Sequence, residues 1–260
     1  LPMSVLSAFR RFARFGRRQL QRLIAKAPAP IGQRLSRRLW TPPSGTIDFG
    51  DFGRTEPISA DFGFDRGVPI DRYFVEIFLA RNAARIRGRV LEIGDNEYTL
   101  RFGGKKVEKS DVLHVDAANP IATIIGDLSI PGTLPERAFD CIVLTQTLHL
   151  IFDMRGALAE LAGALKPGGT LLVTVPGISP IDRGTWRHTW FWSLTEIAMG
   201  RLLAPAFEEK DIEVETFGNV FAAVCFLQGL AVSEVAQAKL DVLDKSFPVI
   251  VAATARRRLE

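Results

Sequence analysis

The sequence predicts an α/β fold: a doubly wound, mostly parallel sheet with helices on both faces, preceded by a basic helical arm. Three observations carry this expectation. Short apolar runs recur from residue 89 onward, several ending in Gly or an acid, as parallel strands buried on both faces do. A helical pattern at 154–165 lies between two of these runs, the arrangement of a right-handed βαβ unit. Finally, residues 1–40 hold ten Lys and Arg and no acid, which sets that segment apart from everything after it.

The elements follow in order. Over 3–26, Val5, Phe9, Phe12, Gly16, Leu20 and Leu23 recur at three- and four-residue steps, and Arg10, Arg11, Arg14, Arg17, Arg18 and Arg22 fall on the opposite face. This pattern predicts an amphipathic helix, ended by Pro28 and Pro30 because proline cannot continue it. Residues 41–70, rich in Gly, Pro, Asp and Phe, read as a long ordered loop; a helix over 71–86 follows, with Tyr73, Phe74, Ile77, Phe78 and Ala80 as its apolar face. Strands are expected at 89–93, 112–115, 122–125, 139–144, 170–175, 212–217 and 248–253, and helices at 154–165, 220–230 and 233–243. Lys166-Pro167-Gly168-Gly169 closes the 154–165 helix, glycine and proline being natural helix stops. Three parts result: an arm at 1–40, a loop and helix capping the site at 41–86, and the main domain at 87–260.

Composition narrows the function classes. The chain has 260 residues, 47% hydrophobic and 24% charged, enough for one large core. No apolar run approaches the roughly 20 residues of a membrane span, and no secretory core follows the first arginines. Cys141 and Cys225, the two cysteines, sit in apolar runs and read as reduced thiols of a cytoplasmic protein. With three scattered histidines, no metal site is expected. Net charge is +4, yet outside the arm 23 basic residues face 29 acidic ones, so the basicity belongs to the arm and not to the body.

A doubly wound sheet binds its ligand at the carboxyl ends of its central strands. The residues there are Glu92-Ile93-Gly94-Asp95-Asn96 after the first strand, Asp111 or Asp116 at the second, Gly126-Asp127-Leu128 after the third and Thr145-Gln146-Thr147 after the fourth. Together with Val90-Leu91-Glu92-Ile93-Gly94, Phe139-Asp140-Cys141-Ile142-Val143-Leu144 and the run from Leu165-Lys166-Pro167-Gly168-Gly169 to Pro176, this series resembles the class I S-adenosylmethionine-dependent methyltransferases over roughly 87–255. Residues 63–73 are also similar to a bacterial subgroup found beside glycosyltransferases in polysaccharide gene neighbourhoods. The resemblance implies a Rossmann-like sheet with an antiparallel C-terminal strand and S-adenosylmethionine as cofactor. It implies that Glu92 and Gly94 lie against the methionine part, that Asp127 and the Leu128 N–H meet adenine, and that Thr145 and Gln146 lie near the sulfonium. The ribose acid is either Asp111, which the family pattern favours, or Asp116, which the apolar run before it favours; Asp111 is preferred. The family's Gly-x-Gly-x-Gly is reduced here to Gly94-Asp95-Asn96, which makes Asp95 and Asn96 candidates for the methionine end. A nicotinamide-binding domain needs Gly-x-Gly-x-x-Gly to seat a pyrophosphate; the chain has no such run, and S-adenosylmethionine carries no phosphate.

Methyl transfer to a hydroxyl needs a positioned acceptor and a base. His188 and Asp182 lie in a tryptophan-rich segment after the fifth strand, and His149 just past the fourth; these are the base candidates, although a histidine in an apolar turn is more often a packing residue. Trp186 and Trp190, with Asp65, Arg66 and Tyr73 from the capping segment, are the candidate substrate contacts, and the alternative for that segment is a salt-bridged surface turn. The expected acceptor is a sugar, glycan intermediate or other small hydroxylated metabolite. Other readings are an N- or RNA methyltransferase, and a non-catalytic scaffold of a glycan-synthesis complex. The arm suits an anionic membrane face, a protein partner or the acidic body itself. Nucleic acid ranks below these, because the fourth-strand loop lacks a base-gripping Asn-Pro-Pro-Tyr type of sequence.

Overall fold

The computed structural model describes residues 45–259. The chain divides into two compact units, Leu1–Arg54 and Thr55–Glu260. Of the first, the described part holds one 3-10 turn, Gly50–Gly53; the basic arm expected at 1–40 lies outside the described residues.

The second unit is built on seven strands: β1 (Gly88–Ile93), β2 (Val107–His114), β3 (Ile124–Ile125), β4 (Phe139–Thr145), β5 (Leu165–Pro176), β6 (Ile212–Phe217) and β7 (Ile250–Arg256). They stand in the order 3-2-1-4-5-7-6. Strands β1 to β5 are parallel, and β7 runs antiparallel between β5 and β6. This is the doubly wound, mostly parallel sheet with an antiparallel C-terminal strand that the sequence predicts. Its order reverses between β1 and β4, which opens a crevice at their carboxyl ends.

Strand residues alternate between faces, and both faces are apolar. Leu91, Ile142, Leu144, Leu171 and Val173 pack on one side against helices α2 (Met154–Ala164) and α3 (Glu196–Leu203). Val90, Cys141, Val143 and Leu172 pack on the other against α1 (Ile70–Arg81) and α4 (Val220–Leu227). The α1 face is Ile70, Phe74, Val75, Phe78 and Leu79, all buried; full burial of one such side chain stabilises by about 1.5–3 kcal/mol. Both cysteines are buried free thiols.

Capping side chains fix where the helices start and stop. The Asp153 carboxylate accepts the Gly156 N–H at the start of α2, and Asn219 does the same for Ala222 at α4. Arg257 Nη1 reaches the carbonyls of Ala162, Gly163 and Leu165 at 2.6–2.7 Å, satisfying acceptors that the end of α2 leaves open.

Several boundaries differ from expectation. The helix expected over 71–86 ends at Arg81, because the Asn82 side chain donates to the Phe78 carbonyl and the following turn carries Ile86 into the core. Instead of a helix over 233–243 there are a 3-10 turn at Val232–Glu234 and the short α5 (Gln237–Leu240). The Asn219 side chain holds the carbonyls of Lys239 and Val242, which fixes the chain in a turn there. The third strand is reduced to two residues, and Lys166-Pro167-Gly168-Gly169 lies inside an irregular start of β5 and not in a loop.

Candidate active site

The carboxyl ends of β1, β2, β3 and β4 lie along one edge of the sheet. Glu92, one residue before the end of β1, is 2% exposed. Its two oxygens accept the N–H groups of Tyr98 (3.3 Å) and Thr99 (2.7 Å), the first turn of the irregular helix that follows. Burial pushes its carboxyl up to about 7, with those N–H bonds opposing the rise. Glu92 therefore works from behind the loop, holding Gly94–Glu97 in place.

Gly94 has φ +92°, a backbone region that favours glycine. A Cβ placed on it would meet no atom within 4 Å, so the backbone there borders open space. Its N–H donates to the Leu113 carbonyl and its carbonyl accepts from Asn119 Nδ2, both at 3.0 Å, which ties the loop after β2 to the loop after β1. Asp95 accepts the Glu97 N–H in a local turn, and Asn96 donates to the Ser110 hydroxyl.

The two candidate ribose acids are placed very differently. Asp111 pairs with Leu91 in mid-strand and is 1% exposed. Its oxygens are taken by Arg89 (2.7 Å), Thr123 (3.0 Å) and Lys109 (3.3 Å). Burial alone would raise its pKa, but these partners outweigh it and hold the carboxyl below its ordinary range. Asp116 lies two residues past the end of β2, exposed, its N–H on His114 Nδ1 and its Oδ1 on the Ala118 N–H. The Asp111 carboxylate is thus committed within the sheet, and the acid past the strand's carboxyl end is Asp116.

Beyond β3, Asp127 is exposed and accepts the Ser129 N–H and hydroxyl, both at 2.8 Å, while Leu128 is buried behind it. At the end of β4 the Thr145 carbonyl accepts the Thr147 hydroxyl. Gln146 adopts φ +47°, a left-handed conformation held by its N–H on the Thr174 carbonyl at 2.9 Å. A non-glycine residue kept there costs about 1–3 kcal/mol, and such strain clusters at functional sites.

His149 follows on the turn after β4, 2% exposed. Its ring meets Trp190 edge-on at 4.6 Å, Trp190 stacks on Phe62 at 5.8 Å, and Phe62 packs on Phe226 at 6.3 Å. Both His149 ring nitrogens and Trp190 Nε1 are buried without a hydrogen-bond partner. Burial, and then the charge of Arg72, push the His149 pKa down to about 4, so the ring is neutral near pH 7.

The other base candidates stand elsewhere. Asp182 accepts the N–H groups of Gly184 (2.6 Å) and Trp186 (2.8 Å) and so shapes its own loop. His188 is exposed at the tip of that loop and accepts from Arg187 Nε at 2.9 Å; Trp186 is exposed beside it. The capping segment is also committed. Asp65 accepts the Ser59 hydroxyl, Arg66 pairs with Glu234, and the Tyr73 hydroxyl donates to Asp241. Arg66 and Tyr73 hold the segment and α1 against residues 234–241, and the Asp65 bond closes a turn within the segment.

Sequence reasoning passed over Phe62 and took Asp71 and Arg72 only as part of the capping segment. Asp71 is buried in the first turn of α1 with Oδ1 unpaired, and burial, opposed by Arg72, raises its pKa. One signal was available: Asp71 falls three, four and seven residues before Phe74, Val75 and Phe78, so a polar side chain sits on the apolar face of the helix. Among the described residues no cluster of three or more His, Cys, Asp or Glu could hold a metal.

Residues 77–173 match the family described as a methyltransferase domain. A 70-residue stretch is 37% identical to an uncharacterized methyltransferase of Mycobacterium bovis, covering 27% of this chain and 35% of that protein. The chain thus spans about a third of the length of the curated relatives it matches. Among solved structures, a SAM-dependent methyltransferase from Archaeoglobus fulgidus aligns with TM-score 0.49 at 14% identity, over 72% of this chain and 94% of that one. The N-methyltransferase NodS from Bradyrhizobium japonicum, in complex with S-adenosyl-L-homocysteine, aligns with TM-score 0.45 at 15% identity, over 77% and 94%.

Proposed function

We propose that this chain, whose residues 77–173 match a methyltransferase domain family, is a class I S-adenosylmethionine-dependent methyltransferase that transfers the cofactor's methyl group to a hydroxyl oxygen of a sugar, glycan intermediate or similar small hydroxylated acceptor. The observation that carries this reading is the open backbone at Gly94, with Asp116 and Asp127 past the ends of β2 and β3 on one side of it.

That arrangement fits a cofactor with a cationic centre, vicinal ribose hydroxyls and an adenine amino group, and it has no phosphate cradle. Glu92 orders the loop, and Gly94 admits the methionine part at backbone distance. Asp116 accepts from the ribose, Asp127 from the adenine amino group, and the strained Gln146 turn sets the backbone beside the sulfonium. When bound, S-adenosylmethionine supplies an electrophilic methyl group. The chain's own task is then to exclude water, orient the acceptor oxygen in line and take its proton. Two features favour oxygen over nitrogen as acceptor. The His149 ring is neutral near pH 7, and the Arg72 charge that helps keep it so also repels an ammonium group. In the same reading the protein works in the cytoplasm, and the basic arm at 1–40 brings it to an anionic membrane face or a protein partner.

Calorimetric titration with S-adenosylmethionine and S-adenosylhomocysteine tests the reading. Micromolar binding, weakened tenfold or more in Asp127→Ala, is expected from the loss of a charge-assisted hydrogen bond. A folded protein that binds neither ligand would leave a non-catalytic scaffold as the better account.

A further inference from the structure

Among the polar groups that the fold leaves buried and unpaired, two lie together at the turn after β4. His149 keeps both ring nitrogens without partners, and Trp190 keeps its Nε1 so. These two residues belong to one aromatic stack. His149 lies against Trp190, Trp190 against Phe62, and Phe62 against Phe226. Each unpaired buried polar atom costs about 1–3 kcal/mol, and native interiors pair roughly nine in ten of theirs. Apolar side chains would fill the same space without that cost. A ligand that supplies the missing partners accounts for the cluster.

The atoms specify the ligand. A neutral imidazole offers one donor and one acceptor, and the indole one donor. Hydroxyl groups, which both donate and accept, satisfy this mixture. The nearby charge is the positive one of Arg72, which acts on His149 and works against an ammonium ligand. Aromatic walls suit the C–H faces of a saturated ring.

Resting on the methyltransferase reading, we propose that His149 and Trp190 bind the acceptor, that the acceptor is an uncharged polyhydroxylated ring of the pyranose type, and that His149 takes the proton of the hydroxyl being methylated. The hydroxyl oxygen forms its new bond to the methyl carbon as the carbon–sulfur bond breaks with its electron pair on sulfur. The products are a methyl ether, the neutral thioether S-adenosylhomocysteine and a proton on the free nitrogen of His149, later released to water. Trp190 lies edge-on against the His149 ring and is backed by Phe62, so Trp190 swings aside for the acceptor to enter. It sits in residues 177–195, which contain neither helix nor strand, the kind of segment that moves at lids.

The test uses full-length wild type, His149→Gln and Trp190→Phe. Each is titrated with S-adenosylhomocysteine and assayed for transfer of tritiated methyl from S-adenosylmethionine to a panel of methyl pyranosides and to a polar bacterial extract. All three should bind S-adenosylhomocysteine within about twofold. Wild type should label a neutral sugar. His149→Gln should lose roughly 10²–10³-fold in kcat, within the range a general base contributes, with KM changed less than about threefold. Trp190→Phe, which removes the N–H and keeps an aromatic ring, should raise KM about tenfold, one decade being about 1.4 kcal/mol, with kcat retained. Full turnover in His149→Gln would overturn the proposal, as would label on amines alone, or a wild type that binds S-adenosylhomocysteine yet labels nothing. In each of those cases cofactor binding stands. Absence of cofactor binding fails the methyltransferase reading first, so the two failures are distinguishable.

Discussion

Glu92 and His149 are both 2% exposed, and burial moves them in opposite directions, which has a measurable consequence for stability against pH. Burial raises the Glu92 carboxyl to about 7, from an ordinary value near 4.5 in the unfolded chain. Between those values the folded protein holds a proton that the unfolded chain has lost. Stability from this group is therefore full below about pH 4.5 and falls as pH rises to about 7, by about 3 kcal/mol in all. His149 behaves oppositely. Its folded value is about 4 against 6.5 unfolded, so the unfolded chain binds the proton that the folded protein excludes. Its contribution is full above about pH 6.5 and is lost as pH falls through about 4, again by about 3 kcal/mol. The windows overlap, so in wild type the two nearly cancel. Single variants separate them. The stability of Glu92→Gln relative to wild type should climb by about 3 kcal/mol from pH 4.5 to 7, and that of His149→Gln should fall by as much from pH 4 to 6.5. Taking differences removes the shared contributions of groups such as Asp111 and Asp140, whose pKa values are lowered. Urea unfolding followed by far-ultraviolet circular dichroism between pH 4 and 8 gives the curves. Differences that stay flat with pH would show that both groups are solvated in the folded protein and would refute the burial argument.

The remaining predictions concern single positions. Asp111→Ala should destabilise the fold by about 3 kcal/mol, because it leaves Arg89 and Lys109 without their buried partner, while Asp116→Ala should keep the melting temperature and lose affinity for S-adenosylhomocysteine; thermal melts and calorimetry on both variants distinguish the two acids. Gly94→Ala should cost about 1–2 kcal/mol from its left-handed backbone, yet weaken cofactor binding tenfold or more, since the added methyl enters the space the ligand occupies. Asn219→Ala removes a helix cap and the donor to the carbonyls of Lys239 and Val242; a loss of about 2–3 kcal/mol with unchanged cofactor affinity is expected from denaturant melts and calorimetry.

The sheet was legible because its strands are apolar on both faces, and runs such as 139–144 and 170–175 are unambiguous at strand length. The second strand shows where that signal fades. Glu108, Lys109 and Ser110 lie in β2 but are polar and largely solvent-facing, so the apolar run marks its second half alone. The strand's true length is also what puts Asp111 in mid-strand, a matter of register against β1 that composition does not carry. The positions proposed for the cofactor side, such as Gly94 and Asp127, could be read from their place after strands. The acceptor side could not. That His149 lacks a partner depends on Phe62, Arg72 and Trp190, which stand 77 or more residues away on one side and 41 on the other, and Gln146's left-handed turn has no sequence signature. The partners that Arg66 and Tyr73 find were out of reach for the same reason: they lie at 234 and 241, and adjacency in space was invisible.

The most direct test of the central claim is a crystal structure of the protein with S-adenosylhomocysteine. The account predicts the ligand over the carboxyl ends of β1 and β4, its methionine part against Gly94, its ribose on Asp116, its adenine beside Asp127 and Leu128, and its sulfur facing His149. A ligand bound elsewhere, or a cleft at Gly94 that stays closed to a saturating ligand, would contradict it.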